Sequence, residues 1–136
     1  MKLGIIKSFE NKKVLLLGDT ILDVYIDCKA LGETLYAKAP EVDELKTSVS
    51  FGGNGLVASN ILALGGRVTF FTVVGDDKDA KYYAEFNHPN LRKFFFVDKT
   101  RKTTVKRRWF IRNKVLLQAN VVDHHNISNA LEKKII

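Results

Sequence analysis

Two short, largely hydrophobic stretches lie in the first half of the chain, and the first of them is unbroken. Lys13 to Gly18, KVLLLG, and Arg67 to Val74, RVTFFTVV, have the length of strands. Unbroken apolar strands are typical of a parallel sheet that is buried on both faces. A helix-like segment lies between the two runs, so the pattern predicts a right-handed strand–helix–strand unit and an α/β protein.

The predicted helix between these strands begins at Asn54, a residue favoured at the N-cap, and ends at Gly65, which can adopt the left-handed conformation of a helix stop. Most of its larger apolar side chains fall on one face together with Asn60, and they are Leu56, Val57, Ile61 and Leu64. A second helix is predicted over Lys78 to Phe86, with Asp76 or Asp77 as its cap, and a third begins after Ser128.

Polar and apolar residues alternate with period two from Thr104 to Arg112, and an apolar run follows after turn-prone residues 112–114. This pattern predicts a β-hairpin with a strongly cationic face. Alternation also occurs within residues 24–51, where Pro40 excludes a central strand position. We expect short antiparallel strands that project from the parallel sheet.

Composition narrows the class of protein without giving a function. The 136 residues are 46% hydrophobic and 27% charged, as expected of one soluble globular domain. The single cysteine, Cys28, cannot form an internal disulfide, and the apolar run near Met1 is too short for a signal peptide. No apolar run reaches membrane-spanning length, so we expect a cytoplasmic protein without a membrane partner.

The net charge of +7 is concentrated in one segment, because ten Lys or Arg residues and one acid, Asp98, lie between Arg92 and Lys114. Such a patch could bind nucleic acid, an acidic surface or a phosphorylated small molecule, or it could be a solvated strand face. Trp109 could stack on a base but is expected to pack on the sheet. His124 and His125 could bind a metal, but we expect a solvated pair and no metal.

Three glycines surround Asn54 at the start of the first predicted helix, in the segment SFGGNGLVASNILALGG, Ser50 to Gly66. The spacing of Gly53, Gly55 and Ala58 fits a dinucleotide fingerprint, but that motif belongs directly after the first strand. The glycines could have a purely structural role, in a tight turn that leads into the helix. Alternatively, bare backbone at residues 52 and 53 would face the carboxylate of Asp23 across a cleft sized for a polyol, since carboxylates accept hydrogen bonds from neighbouring hydroxyls.

Four motifs occur in the order and spacing of the PfkB, or ribokinase-like, carbohydrate kinases. They are GDTILD (18–23), FGGNGLVASNILALGG (51–66), VVGDD (73–77) and KTTVKRRWFIRN (102–113). The chain resembles the N-terminal part of such a kinase from Lys13 to about Asp123, most closely the kinase domain of bifunctional heptose phosphate kinases and ADP-heptose synthases. The resemblance implies a partial Rossmann-like α/β/α sandwich over residues 1–136, with a small β-sheet lid whose strands lie within residues 24–51 and 104–122.

The resemblance also implies a set of substrate-binding residues. Sugar hydroxyls would bind Asp23, the glycines would line the sugar near the lid hinge, and cationic side chains of the hairpin would meet a substrate phosphate. The implied set is Asp23, Gly52, Gly53, Asn54, Lys106 and Arg108. Gly75 and Asp77 match a G-x-D turn whose role is mainly structural.

Two departures from the family pattern concern the sugar site. Leu56 stands where the family usually has an asparagine, which leaves Asn54 or Asn60 as an imperfect substitute. The heptose kinases typically carry two glutamines followed by an Arg and an Asp near the second hairpin strand, and the corresponding residues here are Lys114, Val115, Gln118 and Asn120. The substrate could therefore differ, or the site could have decayed.

Family members carry a late GAGD motif that forms an anion hole and supplies the catalytic base. No G-x-G-D occurs in this sequence. We therefore expect ATP and Mg²⁺ to act in a full-length kinase, while this chain alone has no catalytic residue and transfers no phosphoryl group. The alternatives are a degenerate, non-catalytic fragment that binds a sugar phosphate or forms a structural dimer, and a nucleic-acid binder. The family resemblance implies a homodimer through lid strands.

Overall fold

The computed structural model describes residues 3–135, which form two β-sheets and four helices. In chain order the elements are α1 (Leu3–Lys7), β1 (Lys13–Leu17), β2 (Thr20–Glu33), β3 (Pro40–Gly53), α2 (Asn54–Ala63), β4 (Arg67–Gly75), α3 (Ala80–Glu85), β5 (Leu91–Asp98), β6 (Val105–Ile111), β7 (Lys114–Val121) and α4 (Asn129–Ile135).

A three-stranded parallel sheet has the order β1-β4-β5. The strands β1 and β4 are parallel neighbours with α2 between them in the chain, which confirms the predicted strand–helix–strand order. Ala58 and Leu62 of α2 pack against Val68 and Phe70 of β4, and these four residues form one core of the molecule. The helix therefore covers one face of the sheet.

The prediction that β1 is buried on both faces is wrong. Leu15 and Leu17 are 68% and 60% exposed, whereas Leu16 is partly buried against the core beneath α2. Successive strand residues point to opposite faces, so one face of β1 is covered and the other is open. A run of apolar residues does not reveal which of its faces a neighbouring element covers.

A four-stranded mixed sheet has the order β3-β2-β6-β7. The strands β2 and β3 form a long antiparallel hairpin, β6 and β7 form a second, and β2 pairs with β6 in parallel. Two residues, Arg112 and Asn113, connect β6 to β7 with φ angles of 47° and 66°, as in a type I′ turn. The predicted hairpin is confirmed, and β2 begins earlier than expected, at Thr20.

The predicted N-cap of α2 is wrong by one residue. Gly53 occupies the N-cap with φ 54° and ψ −137°, and Asn54 is the first helical residue. The apolar stripe is also misplaced, because Leu56 and Val57 are exposed. The helix instead turns its small residues inward: a Cβ at Gly55 would lie 2.9 Å from the Cβ of Phe51. Small side chains let α2 approach the sheets closely.

The other helix termini agree better with the sequence. Gly65 has a φ of 79°, which confirms the left-handed stop after α2. The helix α3 is shorter than the predicted Lys78 to Phe86, but Asp77 Oδ1 accepts the N–H groups of Asp79 and Ala80 at its start, both at 3.0 Å. Ser128 Oγ accepts the N–H of Leu131 at 3.2 Å and caps α4. Within residues 3–135 no helix is long and apolar enough to cross a membrane.

One face of the four-stranded sheet forms a second core. Buried residues of β2 and β6 pack there against Val74 of β4 and Tyr83 of α3, and they are Leu22, Val24, Ile26, Cys28 and Val105. The two sheets therefore share a core through this face. The opposite face of the four-stranded sheet carries polar side chains.

Candidate functional site

The candidate site is the polar face of the four-stranded sheet together with the cavity beside it. Register places Asp23 of β2 opposite Lys106 of β6, and Lys106 opposite Asn120 of β7. Arg108 lies opposite Gln118 in the same two strands. Because strand residues two apart share a face, these five polar side chains lie together.

Asp23 and Arg108 form an ion pair, with Arg108 Nη1 2.7 Å from Asp23 Oδ1. The two side chains are 17% and 21% exposed, so water screens the pair less than it would screen a surface pair. The guanidinium also lies over the Tyr25 ring, 5.6 Å from its centroid. Asp23 is thus held in one orientation, with Oδ1 engaged by Arg108.

The guanidinium of Arg108 extends this arrangement to β7. Arg108 Nε donates to Gln118 Oε1 at 2.7 Å, and Gln118 Nε2 donates to Asn120 Oδ1 at 3.1 Å. Lys106 and Arg108 lie on the same face of β6, as predicted. Gln118 and Asn120 were identified from the sequence only as departures from the family pattern. The structure adds both to the candidate site.

Gly52 lies against the Asp23 carboxylate. A Cβ at position 52 would be 2.2 Å from Asp23 Oδ2, which leaves no space for any other side chain. The expected polyol-sized cleft between glycine backbone and carboxylate is therefore absent at this point, because β2 and β3 are hydrogen-bonded neighbours. The glycine allows the carboxylate to lie flat over the adjacent strand.

Gly53 and Asn54 contact the turn between β1 and β2. A Cβ at Gly53 would be 2.8 Å from the carbonyl oxygen of Asp19, and the backbone N–H of Asn54 donates to that oxygen at 3.0 Å. The side-chain Nδ2 of Asn54 would be 2.6 Å from a Cβ at Gly18. These two predicted site residues therefore join the two sheets where β1 leads into β2.

A cavity of about 740 Å³ opens at the carboxyl ends of β1 and β4. Its size is within the range of small-molecule sites, and this end of a parallel sheet is where α/β proteins bind ligands. Among its polar lining residues are Asp19, Thr72, Arg101, Lys106, Asp123 and His124. Lys106 is thus the predicted site residue that reaches from the polar face into the cavity.

Ion pairs neutralise several cations of the basic segment. Arg107, on the opposite face from Lys106, pairs with Asp79 at 3.2 Å, and Arg101 pairs with Asp98 at 3.1 Å. With Arg108 paired as well, the hairpin is less cationic than its sequence indicates. Trp109 is partly buried against the core and donates from Nε1 to Glu44 at 2.7 Å, as expected for an indole packed on the sheet.

The two histidines belong to a loop that the neighbouring segment holds by hydrogen bonds. Asp123 Oδ2 accepts the N–H of Lys102 at 2.6 Å, and His125 Nε2 lies 3.2 Å from Thr100 Oγ1. In the part of the chain that the structure describes, no three His, Cys, Asp or Glu side chains form a group that could hold a metal ion.

The G-x-D turn at Gly75 and Asp77 joins β4 to the start of β6. Gly75 N–H donates to Thr103 Oγ1 at 3.0 Å, and Thr103 N–H donates to Asp77 Oδ2 at 2.7 Å. Partial burial raises the pKa of Asp77, but the N–H donors of Thr103, Ala80 and Asp79 outweigh it and hold that pKa below its usual range. The geometry accords with the structural role implied for this turn.

Comparison with known proteins agrees with the motifs. No protein-family model matches the chain. It is 31% identical over 129 residues to the bifunctional protein HldE of Helicobacter acinonychis, an alignment that covers 92% of this chain and 27% of that protein. The chain therefore spans about a quarter of the length of the curated relatives it matches.

Solved structures show the same fold. A carbohydrate kinase from Agrobacterium tumefaciens matches 80% of this chain and 35% of its own, with a TM-score of 0.60 and 21% identity. Phosphofructokinase-2 from Escherichia coli, in complex with fructose-6-phosphate, matches 93% of this chain and 40% of its own, with a TM-score of 0.61 and 16% identity. The resemblance to the PfkB carbohydrate kinases is thus confirmed, and the chain has a partial ribokinase-like α/β fold.

Proposed function

We propose that the chain is the sugar-binding portion of an ATP-dependent carbohydrate kinase, which transfers a phosphoryl group from ATP to a sugar or sugar phosphate of the heptose phosphate type. The observation that carries this proposal is the Asp23 carboxylate, fixed by Arg108 over the bare backbone of Gly52 and opposite Lys106, which lines a cavity of about 740 Å³. The similarity to HldE supports the heptose type of substrate.

Asp23 acts in this proposal by accepting a sugar hydroxyl. Arg108 engages Oδ1, so Oδ2 is the oxygen with more capacity to accept hydrogen bonds from a ligand. A single fixed acceptor orients a polyol with less loss of side-chain entropy than a freely rotating carboxylate would require.

The nucleotide half of the reaction is assigned to the remainder of a full-length kinase. The described residues offer no carboxylate cluster for Mg²⁺, and the sequence contains no G-x-G-D motif for the transferred phosphate. We expect a phosphotransfer assay on this chain alone to remain at background.

Calorimetry with a panel of pentoses, hexoses, heptoses and their phosphates tests the proposal. Replacing Asp23 by Asn should weaken binding of the preferred sugar about tenfold or more, because a hydrogen bond to a charged group is lost. Asp27→Asn is the matched control, since Asp27 lies on the same face of β2 but is exposed. Failure of every sugar to bind, or equal loss in both variants, would contradict the proposal.

A non-catalytic dimeric fragment is the second candidate. The edge strand β7 exposes Val115 and Leu117, each at 54%, and such an edge can pair with a second copy. Light scattering that shows a dimer, together with the absence of sugar binding, would favour this candidate. Nucleic-acid binding is disfavoured because Arg107 and Arg108 are already paired, and affinity that falls steeply with salt would revive it.

A further inference from the structure

The side-chain hydrogen bonds from Arg108 of β6 to Gln118, and from Gln118 to Asn120, can run in only one donor-to-acceptor direction. Arginine has only donors, so the atom of Gln118 that faces Arg108 Nε must be the carbonyl oxygen. The amide nitrogen of Gln118 then faces Asn120, and it can only donate, so Asn120 presents its Oδ1 to Gln118. The Nδ2 group of Asn120, with two hydrogens, is consequently the end of the relay that is left for a ligand.

Lys106 lies directly opposite Asn120 in the register of β6 and β7. Its side chain is partly buried and lines the cavity. Among residues 3–135 it has no ion-pair partner within 4.0 Å and no side-chain hydrogen bond, although Asp19 and Asp123 line the same cavity. Asp123 is already engaged, since its Oδ2 accepts the N–H of Lys102.

Lys106 and Asn120 therefore place two donor-bearing side chains, one of them charged, at paired positions of neighbouring strands. Cross-strand neighbours of this kind lie about 5 Å apart at Cβ, so both side chains can extend to one tetrahedral or planar oxyanion. A carboxylate at position 120 would reverse this chemistry, because an ionised Asp can only accept hydrogen bonds and would repel an anion. The carboxamide of Asn120 makes the position a donor.

We propose that Lys106 Nζ and Asn120 Nδ2 form a subsite for an oxyanion carried by the sugar, with Gln118 as the residue that orients Asn120. The shared chemistry is an acceptor-only oxygen group, either a phosphate or a carboxylate. The inference rests on the proposed sugar-binding function for its ligand. Arg108 is not part of the subsite, because Asp23 neutralises it.

The test uses the 136-residue chain, labelled with ¹⁵N, and four probes at fixed ionic strength: inorganic phosphate, glucose 6-phosphate, glucuronate and glucose. The three anions should shift the side-chain amide resonances of Asn120, and neutral glucose should leave them unchanged. Glucose 6-phosphate and glucuronate distinguish a phosphate from a carboxylate as the preferred group.

Variants separate the subsite from general charge attraction. Lys106→Gln and Asn120→Ala should each weaken binding of the preferred anion about tenfold, because hydrogen bonds to the charged ligand are lost. Asn120→Asp should weaken it more strongly, because it also adds a repulsive charge. Lys114→Gln, at the other end of the hairpin, changes the net charge equally and should alter the affinity by less than about twofold. Gln118→Ala should shift the Arg108 Nε–H resonance and weaken anion binding less than Asn120→Ala.

The outcomes distinguish this inference from the proposed function. If a sugar binds through Asp23 but the Asn120 amide does not respond to any anion, the subsite is refuted and the sugar-binding function stands. If inorganic phosphate binds through Lys106 and Asn120 but no sugar binds, the subsite stands and the function is refuted. Equal losses in Lys106→Gln and Lys114→Gln would show unspecific attraction and overturn the subsite.

Discussion

The two faces of the four-stranded sheet carry different side chains although they share the same strands. On one face Leu22, Val24 and Val105 are buried against β4 and α3. On the other, the neighbouring residues Asp23 and Lys106 alternate with them, and Lys106 lines the cavity. The buried face is held together by close packing and the exclusion of water. The polar face is organised by charge and by the direction of its hydrogen bonds. Substitutions on the two faces should therefore differ in what they change.

Leu22→Ala should have the largest effect on stability. Leu22 is fully buried, and removing such a side chain leaves a cavity that costs roughly 2–5 kcal/mol. Urea denaturation measures the change in the free energy of unfolding. The matched control is Leu117→Ala on exposed β7, which should cost less than about 1 kcal/mol. Similar losses in both variants would show that the apolar face is not the core.

Gly52→Ala should have an intermediate effect, and it should change both stability and ligand binding. The added methyl would lie 2.2 Å from Asp23 Oδ2, so the carboxylate must leave its position beside Arg108. We expect a loss of about 1–3 kcal/mol in stability, as for other overpacked sites. Sugar affinity should fall as well.

A double-mutant cycle checks the cause of the Gly52→Ala effect. In an Asp23→Ala background the methyl no longer meets the carboxylate, and the penalty should shrink by about 0.5–3 kcal/mol, the range for residues in contact. An unchanged penalty in that background would assign the effect to Ile21, whose Cβ would lie 3.3 Å from the methyl.

Tyr83→Phe should have the smallest effect at neutral pH. The Tyr83 side chain is fully buried, and within the described chain neither its hydroxyl nor the buried hydroxyl of Thr20 has a hydrogen-bond partner. Removal of an unpaired hydroxyl should change the free energy of unfolding by less than about 1 kcal/mol. A larger loss, measured by urea denaturation, would show that the hydroxyl is bonded.

The same substitution should change stability at high pH. Burial raises the pKa of Tyr83 to about 12 from an ordinary value of 10.0. A folded-state pKa above the unfolded one means that the neutral phenol contributes fully below about pH 10 and that this contribution is lost as the pH rises through about 12. Tyr83→Phe should remove this alkaline loss, whereas Tyr82→Phe, at an exposed tyrosine, should not.

Local patterns in the sequence predicted local structure well. Alternation from Thr104 and the turn at Arg112 and Asn113 gave the β6–β7 hairpin, and alternation also placed Lys106 and Arg108 on one face. The two apolar runs gave the parallel pair β1 and β4. In each case the prediction needed only the period of a strand or the conformational preference of a turn.

Features that depend on distant residues were not predictable in the same way. Arg108 pairs with Asp23 across 85 positions, and that contact follows from the parallel register of β2 and β6, which no local pattern encodes. The buried side of α2 was missed because close approach selects the small residues Gly55 and Ala58, whereas hydrophobicity favoured Leu56. The open face of β1 was not predicted because its run of leucines is equally apolar on both faces of the strand.

The connections between the two sheets also form walls of the cavity. Two of the three connections form these walls, the Gly18 and Asp19 turn from β1 to β2 and the segment 99–104, which Thr103 fastens to Gly75 and Asp77. The third connection runs from β3 through α2 to β4. Gly18, Asp19, Arg101 and Thr104 all line the cavity. Both of these connections lie at the rim of the cavity, so a change in the angle between the sheets would alter the width of the opening. Rotation of one sheet against the other would therefore act directly on access to the cavity.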